Sequence, residues 1–325
     1  MYRPSSHNIK NAAHIIGLGE VVAFPTETVY GLGADAFNEQ AVQKIFGLKG
    51  RPSYNPLIVH LAETDQIEEV AWFQRGSKVH ETLKKLYRFW PGPLSVVLPR
   101  HPLVPDCVTG GLNTVAVRIP AHPVARDFLK ACNTPIAAPS ANKSSYISPT
   151  TAEHVYEEFG EKVAIIIDGG KCEVGLESTV ISIVNDVPVI LRPGYITREQ
   201  LEDALGEVKQ VSYTVPSRPE SPGMLSKHYA PKTKVVLKKN IDPGNLPKKI
   251  GFISFGPAGS GEPDIPLTVR DNLSSSGDLE EVAENLYDAL RKQDKMGLDL
   301  IVVDTCDKTG LGAAIMDRLT RACAD

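Results

Sequence analysis

Two cations two residues apart, Lys49 and Arg51, stand in the turn-rich stretch "KGRPSYNPLIVH", followed by the amide of Asn55 and the imidazole of His60. Taken alone, a Lys-x-Arg pair in a loop is solvated charge. Four further regions carry polar side chains beside apolar strands. "FPTETVYGLG" puts Thr26, Glu27 and Thr28 at a strand end, with two glycines after them that permit close backbone approach. In "TVAVRIP", Val115, Val117 and Ile119 share one face, which places Thr114, Ala116 and Arg118 on the other. An arginine there stands either in water at a sheet edge or in a cleft. "APSANKSSYISPT" sets Ser140 and Asn142 just past an apolar strand, where an Asx or Ser turn is the plain alternative. "LESTVISI" and "ILRPG" bring Ser178, Thr179 and Arg192 to strand ends.

Gathered in one place, Lys49, Arg51, Arg118 and Arg192 with these amides and hydroxyls suit a polyanion and a small amphoteric molecule. Arginine binds phosphate or carboxylate through a two-pronged fork, and lysine supplies a point charge. A charge-assisted hydrogen bond contributes roughly 1.5–3 kcal/mol, so three or four cations suffice for a triphosphate. No G-x-x-x-x-G-K-[ST] loop exists to do that work instead. The run from Gly31 to Ala36 fits a loose dinucleotide pattern. It lacks the required context, because Pro25 breaks the strand before it and the next helix starts only at Asn38.

Other chemistries find little support. The five cysteines are scattered, with no C-x-x-C pair, and the eight histidines form no metal-binding motif. Over residues 1–230, 22 Lys and Arg face 24 Asp and Glu. That balance lacks the basic surplus of a protein that holds nucleic acid by its phosphates. No apolar run approaches the roughly 20 residues of a membrane span, and the N-terminus has no signal-peptide pattern. The expectation is a cytoplasmic protein with no membrane association and no stable nucleic-acid binding.

Positioning falls to short apolar strands alternating with amphipathic helices, an α/β pattern. Strands are expected in "EVVAFPT", "PLIVHLA", "LSVVLP", "TVAVRIP", "PIAAPS", "VAIIIDGG", "STVISIV" and "PVILRPG". Helices are expected over 38–49 with Asn38 as N-cap and Gly50 as stop, and over 78–88, 123–132, 151–159 and 198–205. Thr150-x-x-Glu153 and Thr197-x-x-Gln200 read as capping boxes. Three segments result: residues 1–211, a Pro/Ser-rich linker over 212–233, and a smaller α/β unit over 234–325. The last contains helical patterns from Asp278 to Gln293 and in "LGAAIMDRLTRA".

The motifs "FPTETVYGLGADAFNEQAVQKIFGLKGRPSYNPLIVHL", "PGPLSVVL", "TVAVRIPAHPVA", "APSANKSSYISPT" and "GLESTVISI…ILRPG" resemble the YrdC-like L-threonylcarbamoyladenylate synthases. The family's K-x-R and S-x-N signature falls on Lys49, Arg51, Ser140 and Asn142. The segment "SPGMLSKHYAP" and the terminal helix resemble the long, two-domain form. The resemblance implies a YrdC-like domain whose twisted mixed sheet forms a concave basic cleft, followed by a Rossmann-like domain. It implies a reaction of L-threonine, bicarbonate or CO₂, and ATP to threonylcarbamoyl-AMP and pyrophosphate. The product would pass to a tRNA threonylcarbamoyl transferase complex.

By matching positions, Arg51, Asn55, Thr114, Asn142, Thr150, Arg192 and Tyr229 would contact ATP. Thr28, His60, Arg118, Ser140 and Ser178 would contact threonine, and Lys49 would lie by the phosphates. The linker would cover the active site. Mg²⁺ is expected with the ATP, although the sequence offers no carboxylate cage for it. Two alternatives remain: a carbamoyltransferase working through a carbamoyl-adenylate, and a module that only binds structured RNA.

Overall fold

The computed structural model describes residues 1–211, 228–257 and 261–324. Most of the expected linker, residues 212–227, therefore lies outside the described residues, and its expected closure over the site lies there too.

The first unit is built on β1 (Val22–Phe24), β2 (Gly31–Asp35), β3 (Ile58–His60), β4 (Leu94–Pro99) and β5 (Thr114–Arg118). Five more strands complete its sheet: β6 (Ile136–Ala138), β7 (Ile165–Ile166), β8 (Thr179–Ser182), β9 (Val189–Arg192) and β10 (Lys209–Gln210). They form one mixed sheet in the order β10-β9-β8-β4-β5-β3-β6-β2-β1-β7. Strand β5 lies inside it, antiparallel to β4 and parallel to β3, with His60 paired to Arg118. That placement settles the question left open for Arg118. Its strand is not at an edge, and its side chain is buried at 4% exposure. Val115, Val117 and Ile119 on the opposite face join the main apolar core, as the alternation requires.

The helix Glu39–Lys49 delivers the first cation. Asn38 caps it by accepting a hydrogen bond from the Ala41 amide at 3.1 Å, and Gly50 ends it in the left-handed conformation at φ +60°. Ala41, Val42, Ile45 and Phe46 fill its buried face. Thr197 forms the expected capping box with Gln200. The helix Ala152–Phe159 is capped one residue later than expected, by Thr151, whose hydroxyl accepts from His154 N. Thr150 is wholly buried and makes no capping box.

Besides β10, the strand Val269–Asn272 and the short helices Ile67–Val70 and Asp106–Thr109, two elements that frame the core were not expected. Helix Ser6–Gly17 buries Ile9, Ala12 and Ile16 and packs with helix Pro123–Cys132 over Phe24 and Phe128. Strand β2 is formed by the glycine-rich run, paired on both sides by β1 and β6. Its glycines give room to neighbouring side chains. A Cβ on Gly33 would sit 2.7 Å from Ile136 and 2.8 Å from the Phe24 ring, so the close approach there is core packing and no dinucleotide loop.

The second unit is a parallel sheet of β11 (Lys234–Leu237), β12 (Ile250–Ser254), β13 (Val269–Asn272) and β14 (Leu300–Val303), in the order β11-β14-β12-β13. Helices Leu279–Asp294 and Leu311–Ala322 bury Leu286, Leu290, Ile315 and Leu319 in its core. That core also takes in Val29, Ile147 and Leu176 of the first unit.

Candidate functional site

The strand ends and loops around β3, β5, β8 and β9 line an open cleft. Thr28, His60, Arg118, Ser140 and Ser178, the five residues expected at the amino-acid end, all line it. Arg51, Arg192 and Tyr229 line it too. Lys49, Asn55 and Asn142 stand behind the lining residues. Lys49 Nζ donates to the Ser140 carbonyl at 2.6 Å and to the Asn142 carbonyl. Arg51 Nε donates to the Asn55 carbonyl at 3.1 Å, and its Nη2 to that of Pro56 at 2.8 Å. Thr114 and Thr150 are not among the lining residues. Thr114 is half-buried at the far end of the face that carries Ala116 and Arg118, and Thr150 is buried next to Pro149, whose carbonyl accepts from Tyr30 N.

Polar groups in the cleft are desolvated, and several are held ready without partners. Arg118 Nη1 donates to Thr28 Oγ1 at 2.9 Å and Nη2 to Glu27 Oε1 at 2.6 Å, while Nε has no partner. Glu27 in turn accepts from the Ala121 amide at 3.0 Å. Arg192 donates through Nε and Nη2 to the Ser178 carbonyl at 3.1 and 2.8 Å, and Ser178 Oγ shares a 2.8 Å hydrogen bond with Ser95. The Asn55 amide, His60 Nδ1, Asn142 Oδ1, His228 Nδ1 and the Tyr229 hydroxyl are also buried without a partner. Buried polar groups are normally satisfied, so such a concentration marks a place for a polar ligand.

Burial shapes the charges. It pushes the Lys49 amine well below its ordinary value, with repulsion from Arg51 adding to the effect. Arg51 falls to about 9, from burial and then from Arg192. Crowded cations of this kind regain their full charge when an anion arrives between them. Burial would raise the Glu177 carboxyl, but Arg318 and Arg192 outweigh it and hold the group at about 2.

Both cleft histidines are neutral. Burial, followed by Arg118, lowers His60 to about 3. Burial lowers His228 to about 3 as well, against the pull of Glu177 and with the help of Arg51 and Lys49. Below an unfolded value of 6.5 the unfolded chain therefore binds more protons than the native one. Stability must fall as pH drops from 6.5 towards 3, by about 2 kcal/mol per histidine at pH 5. A lower melting temperature at pH 5 than at pH 7.5 is expected, with a flatter dependence in His60→Gln. A His60→Gln profile parallel to wild type would contradict it.

Several residues of the cleft escape sequence reasoning. Glu27 was visible as a polar residue at a strand end, but nothing marked it as the partner of Arg118. Glu177 and His228 line the cleft beside the expected Ser178 and Tyr229. Glu177 is bonded by Arg318 and Tyr287 of the second unit, 141 and 110 residues away, at 2.8 and 2.9 Å.

The profile of a family described as telomere recombination matches residues 14–194, and that of the threonylcarbamoyl-AMP synthase C-terminal domain matches residues 196–324. A threonylcarbamoyl-AMP synthase of Pyrococcus abyssi (strain GE5 / Orsay) is 44% identical, covering 97% of this chain and 93% of its own. One from Bacillus subtilis (strain 168) is 43% identical, covering 97% and 92%. The crystal structure of P. abyssi Sua5 complexed with L-threonine superposes with a TM-score of 0.89 at 41% identity, over 99% of this chain and 96% of that one.

Proposed function

The chain belongs to the threonylcarbamoyl-AMP synthase family, and from that premise we propose that its cleft joins L-threonine, bicarbonate or CO₂, and ATP into L-threonylcarbamoyl-AMP and pyrophosphate. The observation that carries this reading is the cleft itself: Arg51, Arg118 and Arg192 converge on one cavity with Thr28, His60, Ser140 and Ser178.

The amine of threonine adds to the carbon of CO₂ with loss of a proton, or to that of bicarbonate with loss of water, to give a carbamate. A carbamate oxygen then attacks the α-phosphorus of ATP, and the bond to the bridging oxygen breaks to release pyrophosphate. The carboxylate, carbamate and triphosphate would crowd negative charge into one buried space. Arg118, with an unpartnered Nε, takes the threonine carboxylate. Arg51, Arg192, Asn55, Asn142, Thr114, Thr150 and Tyr229 form the ATP side. Lys49, anchored on the Ser140 and Asn142 carbonyls, lies by the phosphates. Fixed cations stabilise the charge that develops towards pyrophosphate without reorganising. No nucleophilic side chain is needed.

Mg²⁺ enters as part of the substrate, MgATP. Among the described residues no cluster of His, Cys, Asp and Glu is fit to hold a metal. In the cleft, Glu27 is taken up by Arg118 and Glu177 by Ser148, Tyr287 and Arg318. Removal of divalent metal with EDTA is expected to stop pyrophosphate release, and added Mg²⁺ to restore it; release at an undiminished rate in EDTA would refute a metal-dependent ATP.

The adenylate is the activated form in which the threonylcarbamoyl group would pass to a tRNA threonylcarbamoyl transferase complex, for adenosine beside the anticodon. No helix among the described residues is long and apolar enough to cross a membrane, which is compatible with work in the cytoplasm. The test of the proposal is pyrophosphate release from ATP with L-threonine and bicarbonate omitted in turn. Release should require both. Release without threonine would replace the reading with carbamoyl-adenylate chemistry, and none under any condition would replace it with ligand or RNA binding alone.

A further inference from the structure

The last helix, Leu311–Ala322, carries an arginine that touches three parts of the cleft at once. Arg318 is 1% exposed. Its Nε donates to Glu177 Oε2 at 2.8 Å, its Nη2 to the Pro193 carbonyl beside Arg192 at 3.0 Å, and its Nη1 to Asp317 at 2.5 Å. Its guanidinium carbon lies 5.1 Å from the centre of the Tyr229 ring. On the other side Tyr287 stacks with Tyr229 at 5.8 Å and donates to the same Glu177 oxygen at 2.9 Å.

Tyr229 needs such a holder. Its φ of +62° is in the left-handed region, which a bulky residue adopts only where packing imposes it. Apart from that packing its hydroxyl is unpartnered and buried. A buried ion pair is a poor glue compared with apolar residues of equal volume, so joining two units does not explain the guanidinium. Orienting an aromatic face, a carboxylate and the backbone next to Arg192 does.

Resting on the synthase reading above, we propose that Arg318 is a positioning residue for the ATP side of the site. Through Tyr229, Glu177 and Pro193 the C-terminal unit completes a cleft whose other walls belong to the N-terminal unit. Among the described residues, Arg318 makes no hydrogen bond to any of those assigned to threonine, the nearest in sequence to its partners being Ser178, which follows Glu177.

The full-length chain with Arg318→Lys keeps the charge and loses the fork. It is expected to raise the KM for ATP about tenfold to a hundredfold, since small misplacements have effects of that size, and to leave the KM for threonine within about twofold. Tyr287→Phe removes one donor and keeps every charge, so it guards against failure of the first variant to fold. It should raise the ATP KM about threefold or more in the same selective way. Parallel changes in both KM values that track a lower melting temperature would reduce Arg318 to a structural role and overturn the proposal. So would variants with wild-type ATP kinetics. A wild-type protein that releases no pyrophosphate would instead refute the synthase reading, which separates the two failures.

Discussion

Replacing Arg51 with alanine, or Lys49 with methionine, is expected to lower the rate of adenylate formation by about 10²–10³. Both cations are buried, at 8% and 3% exposure, so a phosphate bound between them would meet each in a medium that screens poorly. Neither gains its charge from a carboxylate partner. Lys49 rests on the carbonyls of Ser140 and Asn142, and Arg51 on those of Asn55 and Pro56. Those contacts aim the cations without pairing either of them with a carboxylate. Methionine preserves the volume of Lys49 where it packs behind the cleft, so the fold should survive and the melt remain cooperative. Steady-state pyrophosphate release checks both variants. A wild-type rate in either would remove the phosphate clamp from the account.

Selection of the amino acid should be steeper still. Valine has the shape of threonine without its hydroxyl, and a site that hydrogen-bonds the hydroxyl should reject valine by as much as ~10⁴ in kcat/KM. The ring nitrogen of His60 is buried without a partner and its imidazole is neutral. Binding valine would leave such groups desolvated and unpaired, which is where discrimination of that size comes from. Serine keeps the hydroxyl and lacks one methyl group, and Val29, Ile58 and Ala138 give the cleft apolar wall. Its penalty should be only about 1–3 kcal/mol, or 10- to 200-fold. Competition kinetics with the three amino acids give these ratios directly. Comparable turnover of valine and threonine would contradict the picture of the pocket.

The reach of sequence reasoning can be read from particular residues. The alternation in β5 assigned Arg118 to the face opposite the core, and only the sheet order showed that this face was the cleft. Asn38 and Gly50 marked both ends of one helix because caps are local chemistry. Strand β2 was missed for the converse reason. Glycine has little intrinsic preference for extended structure, and the strand exists because β1 and β6 pair with it and Phe24 needs the space. Helix Ser6–Gly17 did carry a signal, in Ile9, Ala12 and Ile16.

Nothing local pointed to the Glu177–Arg318–Tyr229 assembly. Each member looks ordinary in its own segment, and the chemistry comes from burial and from contacts across the two units. The resemblance to a known family supplied Tyr229, but not the residues that hold it. The roles given to Thr114 and Thr150 rest on that resemblance alone, since neither is among the residues lining the cleft.

The most direct test of the central claim is the mass of the nucleotide product formed from ATP, L-threonine and bicarbonate. The expected product is an adenylate whose mass equals AMP joined to a threonylcarbamoyl group, shifted accordingly when isotopically labelled threonine and bicarbonate are supplied. An adenylate without threonine, or only ADP or AMP at every time point, would contradict it.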